Sequence, residues 1–149
     1  MKIYVDADAC PVKQEVLKVA KRHGIGVIFV SNASMRQAAD SSAEWVVVKG
    51  LFNAADDWIA ERATAGDIVV TSDIPLASRC IQKGSRALSP SGRVFSEANI
   101  GQLLATRNLL SELRSLGVMS GGPAPFQKRD RSRFLQSLEL AIQGILRGQ

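Results

Sequence analysis

Ile3-Tyr4-Val5-Asp6-Ala7-Asp8 and Ile68-Val69-Val70-Thr71-Ser72-Asp73 are built alike: a short β-branched apolar run that ends in carboxylates. Runs of this kind read as buried strands of a parallel sheet, where both faces of a strand are covered. Each is followed by a helix-like stretch opened by a proline, Pro11 or Pro75. In open α/β sheets, function gathers at the carboxyl ends of the strands. Two separate strands are therefore expected to deliver acidic side chains to one edge of one sheet.

Outward from these two runs, the chain alternates strand and helix. Residues 2–6 read as a strand. Pro11 to His23 reads as a helix with Val12, Val16, Val19 and Ala20 as its apolar stripe and Gly24 as its stop. Residues 26–31 and Trp45–Val48 read as further strands. The polar stretch between them is expected to hold a short helical turn at Met35–Ala39. A helix over about 54–65, a strand at Asp67–Thr71, a helix over Pro75–Lys83 and a short strand at Arg86–Leu88 complete a core over residues 1–88. The alternation predicts a mainly parallel sheet with helices on both faces, a three-layer α/β/α domain.

The pattern changes after Leu88. Ser89-Pro90-Ser91-Gly92 is a turn, and Val94-Phe95 is expected to form a hairpin arm. Ser96 is placed to cap a helix running to about Leu116, with Ile100, Leu103, Leu104, Leu110 and Leu113 as its stripe. A loop rich in glycine and proline follows. A last helix spans about Lys128 to Leu146, with Phe134, Leu135, Leu138, Ala141, Ile142 and Ile145 on one side. Both helices are too apolar on one side to be a free tail and should pack on the sheet domain, so residues 1–149 are expected to form one domain.

The 149 residues are 46% hydrophobic, enough for a full core, and only 5% aromatic, so that core is aliphatic. No apolar run approaches the roughly 20 residues that span a bilayer. Asp6 interrupts the N-terminus before a secretory signal could form, and two cysteines, Cys10 and Cys80, make no disulfide framework. The expected setting is the cytoplasm, with both thiols buried and reduced. The net charge of +5 is concentrated near the C-terminus, around Lys128, Arg129, Arg131 and Arg133. A basic segment beside an acidic cluster fits a polyanionic substrate whose chemistry uses a metal, and a solvated helix face gives the same pattern.

The acidic set is Asp6, Asp8, Asp56, Asp57 and Asp73. If the first strand persists to Asp8, Asp6 and Asp8 share a face; if it ends at Asp6, Asp8 lies in the loop beyond the edge. Asp56 and Asp57 open the helix between the two strands, where the helix dipole alone favours negative charge. Helical spacing turns Asp56 towards the sheet's edge and Asp57 towards solvent, so Asp56 is the better ligand candidate. Gathered carboxylates repel one another unless a cation or a shared proton relieves them. An all-oxygen set suits Mg²⁺ or Mn²⁺ better than zinc. The single histidine, His23, lies at the far end of the first helix, away from these carboxylates. Asp6, Asp8, Asp56 and Asp73 are therefore expected to hold a metal for hydrolysis, with Thr71 or Ser72 positioning water.

Haloacid-dehalogenase-type phosphatases also end a first strand in Asp-x-Asp. They usually carry Thr or Val two residues after the second Asp, where this chain has Cys10, and a later acidic pair where Thr71-Ser72-Asp73 supplies one carboxylate. A closer likeness covers nearly the whole chain. The strings VDADACP (Val5–Pro11), AADDWI (Ala54–Ile59), TSDIPLASRCIQKG (Thr71–Gly84), NIGQLLATR (Asn99–Arg107) and GGPAPFQKRDRSRF (Gly121–Phe134), in that order, resemble the YaiI/YqxD family. That family is grouped with PIN-like domains, whose better-known members are metal-dependent nucleases. The resemblance implies a PIN-like α/β/α core with acidic positions at Asp6, Asp8, Asp56, Asp57 and Asp73. Asn53 stands where the family often carries Asp; it can cap a helix but brings no charge to a second metal site. The expected activity is phosphodiester hydrolysis with Mg²⁺ or Mn²⁺, on RNA in the first instance, with Lys128, Arg129 and Arg131 meeting phosphates. A nucleic-acid- or partner-binding module without turnover is the alternative, since a fold alone does not carry an activity.

Overall fold

In a computed structural model, the described residues are 1–32, 43–51, 53–119, 121 and 124–148. The helical turn expected at Met35–Ala39 lies outside them. Six strands, β1 (Lys2–Asp6), β2 (Gly26–Ser31), β3 (Ala43–Val47), β4 (Ile68–Val70), β5 (Arg86–Leu88) and β6 (Val94–Phe95), form one sheet in the order β3-β2-β1-β4-β5-β6. All neighbours are parallel except β5 and β6. Among the described residues, five α-helices accompany them: α1 (Lys13–His23), α2 (Ala54–Arg62), α3 (Ile74–Gln82), α4 (Glu97–Ser115) and α5 (Lys128–Leu146). The architecture is the expected three-layer α/β/α sandwich.

Alternation along the strands assigns the two faces. Ile3, Val5, Val27, Phe29, Ile68, Val70 and Leu88 pack with Val16, Leu17 and Ala20 of α1 and Phe134, Leu138 and Ile142 of α5. Tyr4, Ile28, Val30 and Val69 pack on the other side with Ala55 and Ile59 of α2 and Leu76 and Cys80 of α3. The core is aliphatic at nearly every position, with Phe29 stacked on Trp45 at 4.4 Å between ring centres. Both cysteines are buried and unpaired. Burial pushes the Cys80 thiol up to about 11 and the Cys10 thiol above its usual value. They are inert core residues, since only the thiolate reacts.

Boundaries shift by a few residues. The first helix begins at Lys13, two residues after Pro11, because β1 ends in a single 3-10 turn at Ala7–Ala9. α2 stops at Arg62 rather than near residue 65, since Ala63 is already extended. α5 and α4 both pack on the sheet domain as expected. α5 lies on the face shared with α1, whereas α4 sits at the β5/β6 end, where Ile100 and Leu103 pack against Ala77 and Ile81 of α3, Ala87 of β5 and Phe95 of β6. None of its residues is fully buried, and Leu109 and Leu116 are exposed. The expected stripe winds off the contact, because Leu113 lies roughly 140° around the helix from Ile100.

α1 and α5 run in the same direction. Glu15 near the start of α1 is ion-paired with Arg131 near the start of α5, and Arg22 near its end pairs with Glu139 at 3.0 Å. Since α1 starts at the carboxyl edge of the sheet, α5 starts there too. Among the described residues, no helix is long and apolar enough to cross a membrane.

Candidate functional site

β1 and β4 are neighbours in register, Val5 opposite Val70, so Asp6 and Thr71 leave the sheet side by side. Both follow the parity of Tyr4 and Val69, which places them on the α2/α3 face. The Thr71 hydroxyl, almost fully buried, donates to Asp6 Oδ2 at 2.9 Å. The Thr71 hydroxyl oxygen also accepts the Asp73 backbone N–H at 3.0 Å. Asp73 in turn caps α3, its Oδ1 accepting the Leu76 N–H at 2.9 Å. One hydroxyl thus ties the ends of two strands and the start of a helix together.

Asp56 reaches the same place from the first turn of α2. Its carboxyl is pushed up to about 6 by burial, then by the charges of Asp73, Asp6 and Asp57, with Arg79 only partly opposing. Burial also raises the Asp6 carboxyl; the Thr71 hydrogen bond works against this, and Asp8 and Asp73 add to it. Asp56 makes no hydrogen bond or ion pair with another described side chain, and Asp6 has only the Thr71 hydroxyl. Among the described residues, Arg79 offsets this repulsion only in part, and only at Asp56.

The other acids have partners. The strand ends at Asp6, so Asp8 sits in the turn beyond the edge, the second of the two geometries the sequence allowed. It crosses to the end of β2, accepting from the Ser31 hydroxyl and, at 3.0 Å, from the Asn32 N–H. Asp57 pairs with Arg79 at 2.7 Å on the outer side of α2. Asn53 stands at the N-cap of α2 without a side-chain capping bond. Asn32 fills that role, its Oδ1 accepting the Ala55 N–H at 2.9 Å. Ser31 and Asn32 were not singled out in the sequence. Their signal was present, as two polar residues closing a strand at the same edge, but only pairing of β2 with β1 shows which carboxylate they hold. Ser72 is exposed beside Asp73.

The donors suit a hard cation: carboxylate oxygens with excess negative charge and no sulfur or imidazole. Among the described residues, no three acidic, histidine or cysteine side chains stand ready to enclose a metal ion together. Mg²⁺ does not need such a cage, since it usually keeps several waters and takes one or two carboxylates plus substrate phosphates. Asp6 and Asp56, with Asp73 beside them, fit that mode. On the basic segment, Lys128 and Arg129 are exposed at the start of α5. Arg131 is engaged with Glu15 and lies 5.4 Å from the Phe126 ring centre.

An open α/β sandwich with acidic strand ends on the α2/α3 side defines the general class. The family follows from the sequence comparison. A family model described as uncharacterised BCR, the YaiI/YqxD family, matches residues 4–144, and the chain belongs to that family. A UPF0178 protein of Rhodopseudomonas palustris (strain BisB18) is 57% identical over 146 residues, covering 98% of this chain and 94% of the relative. One from Rhodospirillum centenum is 52% identical over 151 residues, covering 99% and 98%. One from Agrobacterium fabrum is 54% identical over 137 residues, covering 92% and 90%. No solved structure matches the chain.

Proposed function

We propose that this protein is a divalent-metal-dependent nuclease of PIN-like type, cleaving phosphodiester bonds in nucleic acid, RNA in the first instance. The observation that carries the reading is the pair Asp6 and Asp56 at the carboxyl edge, two carboxylates raised first by burial and then by neighbouring carboxylates, which Arg79 relieves only in part and only at Asp56. Asp6 and Asp56 would hold Mg²⁺ or Mn²⁺ together with water and substrate oxygens, with Asp73 beside them and Asp8 and Asp57 at the margin of the site. When bound, the ion supplies Lewis-acid polarisation of the phosphate and lowers the pKa of water. The chain's own part is to orient the groups around it. Thr71, fixed by its two hydrogen bonds, aims one Asp6 oxygen and leaves the other free. Without the ion the Asp56 carboxyl is raised to about 6; a divalent cation held there would lower it and keep the carboxylate ionised. The exposed Ser72 hydroxyl can hold a water or a phosphate oxygen beside them. Lys128 and Arg129 lie at the same edge, where phosphates further along a strand would pass.

The test is a cleavage assay on mixed RNA and DNA oligonucleotides with Mn²⁺, Mg²⁺ or EDTA. Metal-dependent cleavage lost in Asp6→Asn is the expected result. Binding without cleavage under all three conditions would favour the second reading, a nucleic-acid- or partner-binding module. That reading draws on the lack, among the described residues, of a ready-made three-ligand cluster.

A further inference from the structure

Beside Asp73 the carboxyl edge opens into a cleft of about 260 Å³, lined by Ser72, Ile74, Ser89, Ser91, Arg93 and Phe95. Its origin is the pairing of β4 with β5. Val70 is opposite Leu88, and the Thr71 N–H donates to the Leu88 carbonyl at 2.9 Å. Ser72 and Ser89 therefore emerge next to each other. The far wall is a closed turn. The Ser89 N–H donates to the Arg93 carbonyl at 2.9 Å, and the Arg93 N–H donates to Ser89 Oγ at 3.0 Å. The Ser89 and Ser91 hydroxyls are 2.9 Å apart.

This turn is clamped from behind. Gly92 has φ +91°, and a Cβ there would stand 2.6 Å from the backbone of Arg133 in α5. The Ser137 hydroxyl donates to the Gly92 carbonyl at 2.7 Å. The cleft is thus preorganised, which lowers the ordering cost of binding. Among the described residues that line it, only Arg93 carries a charge. Its guanidinium makes no hydrogen bond or ion pair with other described residues, and the residue is exposed. An unengaged guanidinium in the same cleft as several serine hydroxyls matches a tetrahedral oxyanion, because Arg presents paired donors and the hydroxyls can fill the remaining positions. Ile74 and Phe95 add an apolar wall where a sugar or base can rest.

We propose that this cleft binds a phosphate group of the substrate adjacent to the reacting one, with Arg93 as its cation and Ser72 and Ser89 as its hydroxyl donors. That the phosphate belongs to a nucleic-acid strand rests on the nuclease reading; that the cleft takes a phosphate does not. Arg93 fixes the register of the strand: Asp73 lies between Ser72 and Ile74, so a phosphate in the cleft places its neighbour before the acidic edge.

Amide NMR titrations in EDTA test this apart from catalysis. The probes are a dinucleoside monophosphate, a nucleoside 5′-monophosphate and the nucleoside alone. Ser72, Ser89 and Arg93 amides should shift with the phosphate-bearing probes and not with the nucleoside. Tighter binding of the diester assigns an internal phosphate; tighter binding of the monoester assigns a strand end. Arg93→Gln should weaken binding about tenfold or more, the worth of a charge-assisted contact, while Asp6→Asn should bind at least as well as the parent. Equal affinity for Arg93→Gln and parent, or equal shifts with the nucleoside, overturns the proposal. A parent that binds through Arg93 but never cleaves overturns only the nuclease reading. Cleavage by Arg93→Gln with the parent's KM overturns only this one.

Discussion

Thr71 and Asp6, on neighbouring parallel strands, share a hydrogen bond of 2.9 Å, and the same hydroxyl oxygen receives the Asp73 amide. This link joins two carboxylates that are 67 positions apart in the chain. It makes Thr71 a positioning residue: it touches Asp6 and Asp73, and acts through them.

Thr71→Val keeps the shape and removes the hydroxyl. Asp6 then loses its one donor, and the Asp73 N–H loses its acceptor. Stability should fall by about 1–3 kcal/mol, the cost of leaving buried polar groups unpaired. The Asp6 carboxyl should rise further, since the Thr71 bond now holds it down. Side-chain carboxyl NMR titration reads the second effect. An unmoved Asp6 titration would show that Thr71 does not tune it.

Asp56 sets a pH dependence. Its carboxyl titrates near 6 in the fold against 3.8 as the ordinary value, so between those values the folded protein binds more protons than the unfolded chain. Stability therefore falls as pH rises through that window, and the penalty is fully present above it. Asp56→Asn should flatten this trend and raise stability at pH 7.5, by on the order of 1 kcal/mol or less because solvent screens a half-open cleft. Urea melts of both proteins at pH 5 and 7.5 in EDTA check the sign. A larger gain at pH 5 than at pH 7.5 would contradict it.

A cation that binds only the folded state stabilises it by about 2.7 kcal/mol at a hundredfold excess over its Kd. Thermal melts with and without Mn²⁺ should show that gain in the parent and none in Asp6→Asn. Absence of a shift in the parent at millimolar Mn²⁺ would speak for the non-catalytic module.

The basic end of α5 divides by function. Arg131→Ala should lower stability, since it leaves the largely buried Glu15 carboxylate without its ion pair. Lys128→Ala and Arg129→Ala should leave stability within about 0.5 kcal/mol. Each lost phosphate contact should reduce the salt dependence of single-strand binding by about 0.7 in slope. Filter binding of RNA against salt compares the three variants with the parent. Unchanged slopes for Lys128→Ala and Arg129→Ala would mark their charge as solvated surface.

Much of the fold was legible because its strands are continuous β-branched runs and its helices carry a 3.6-residue stripe, patterns that backbone geometry alone produces. The α4 stripe was legible too, but not its destination. How much of an apolar stripe is buried depends on where the helix meets the fold, and α4 meets it only through its first turns, at α3, β5 and β6.

The same division holds at the site. Local pattern alone puts Asp6 at the end of one strand and Asp73 just beyond another, at one edge, since both follow apolar runs that must be buried, and it turns Asp56 inward and Asp57 out. Their neighbours come from the fold. The order β2-β1-β4-β5 put Thr71 against Asp6, Ser31 and Asn32 against Asp8, and Ser72 against Ser89. The register of α1 on α5 gave Arg131 to Glu15, and the clamp on Gly92 built the cleft under Arg93. Local periodicity fixes which face a side chain takes, whereas its partner is fixed by strand order and helix packing, which join residues far apart in the chain.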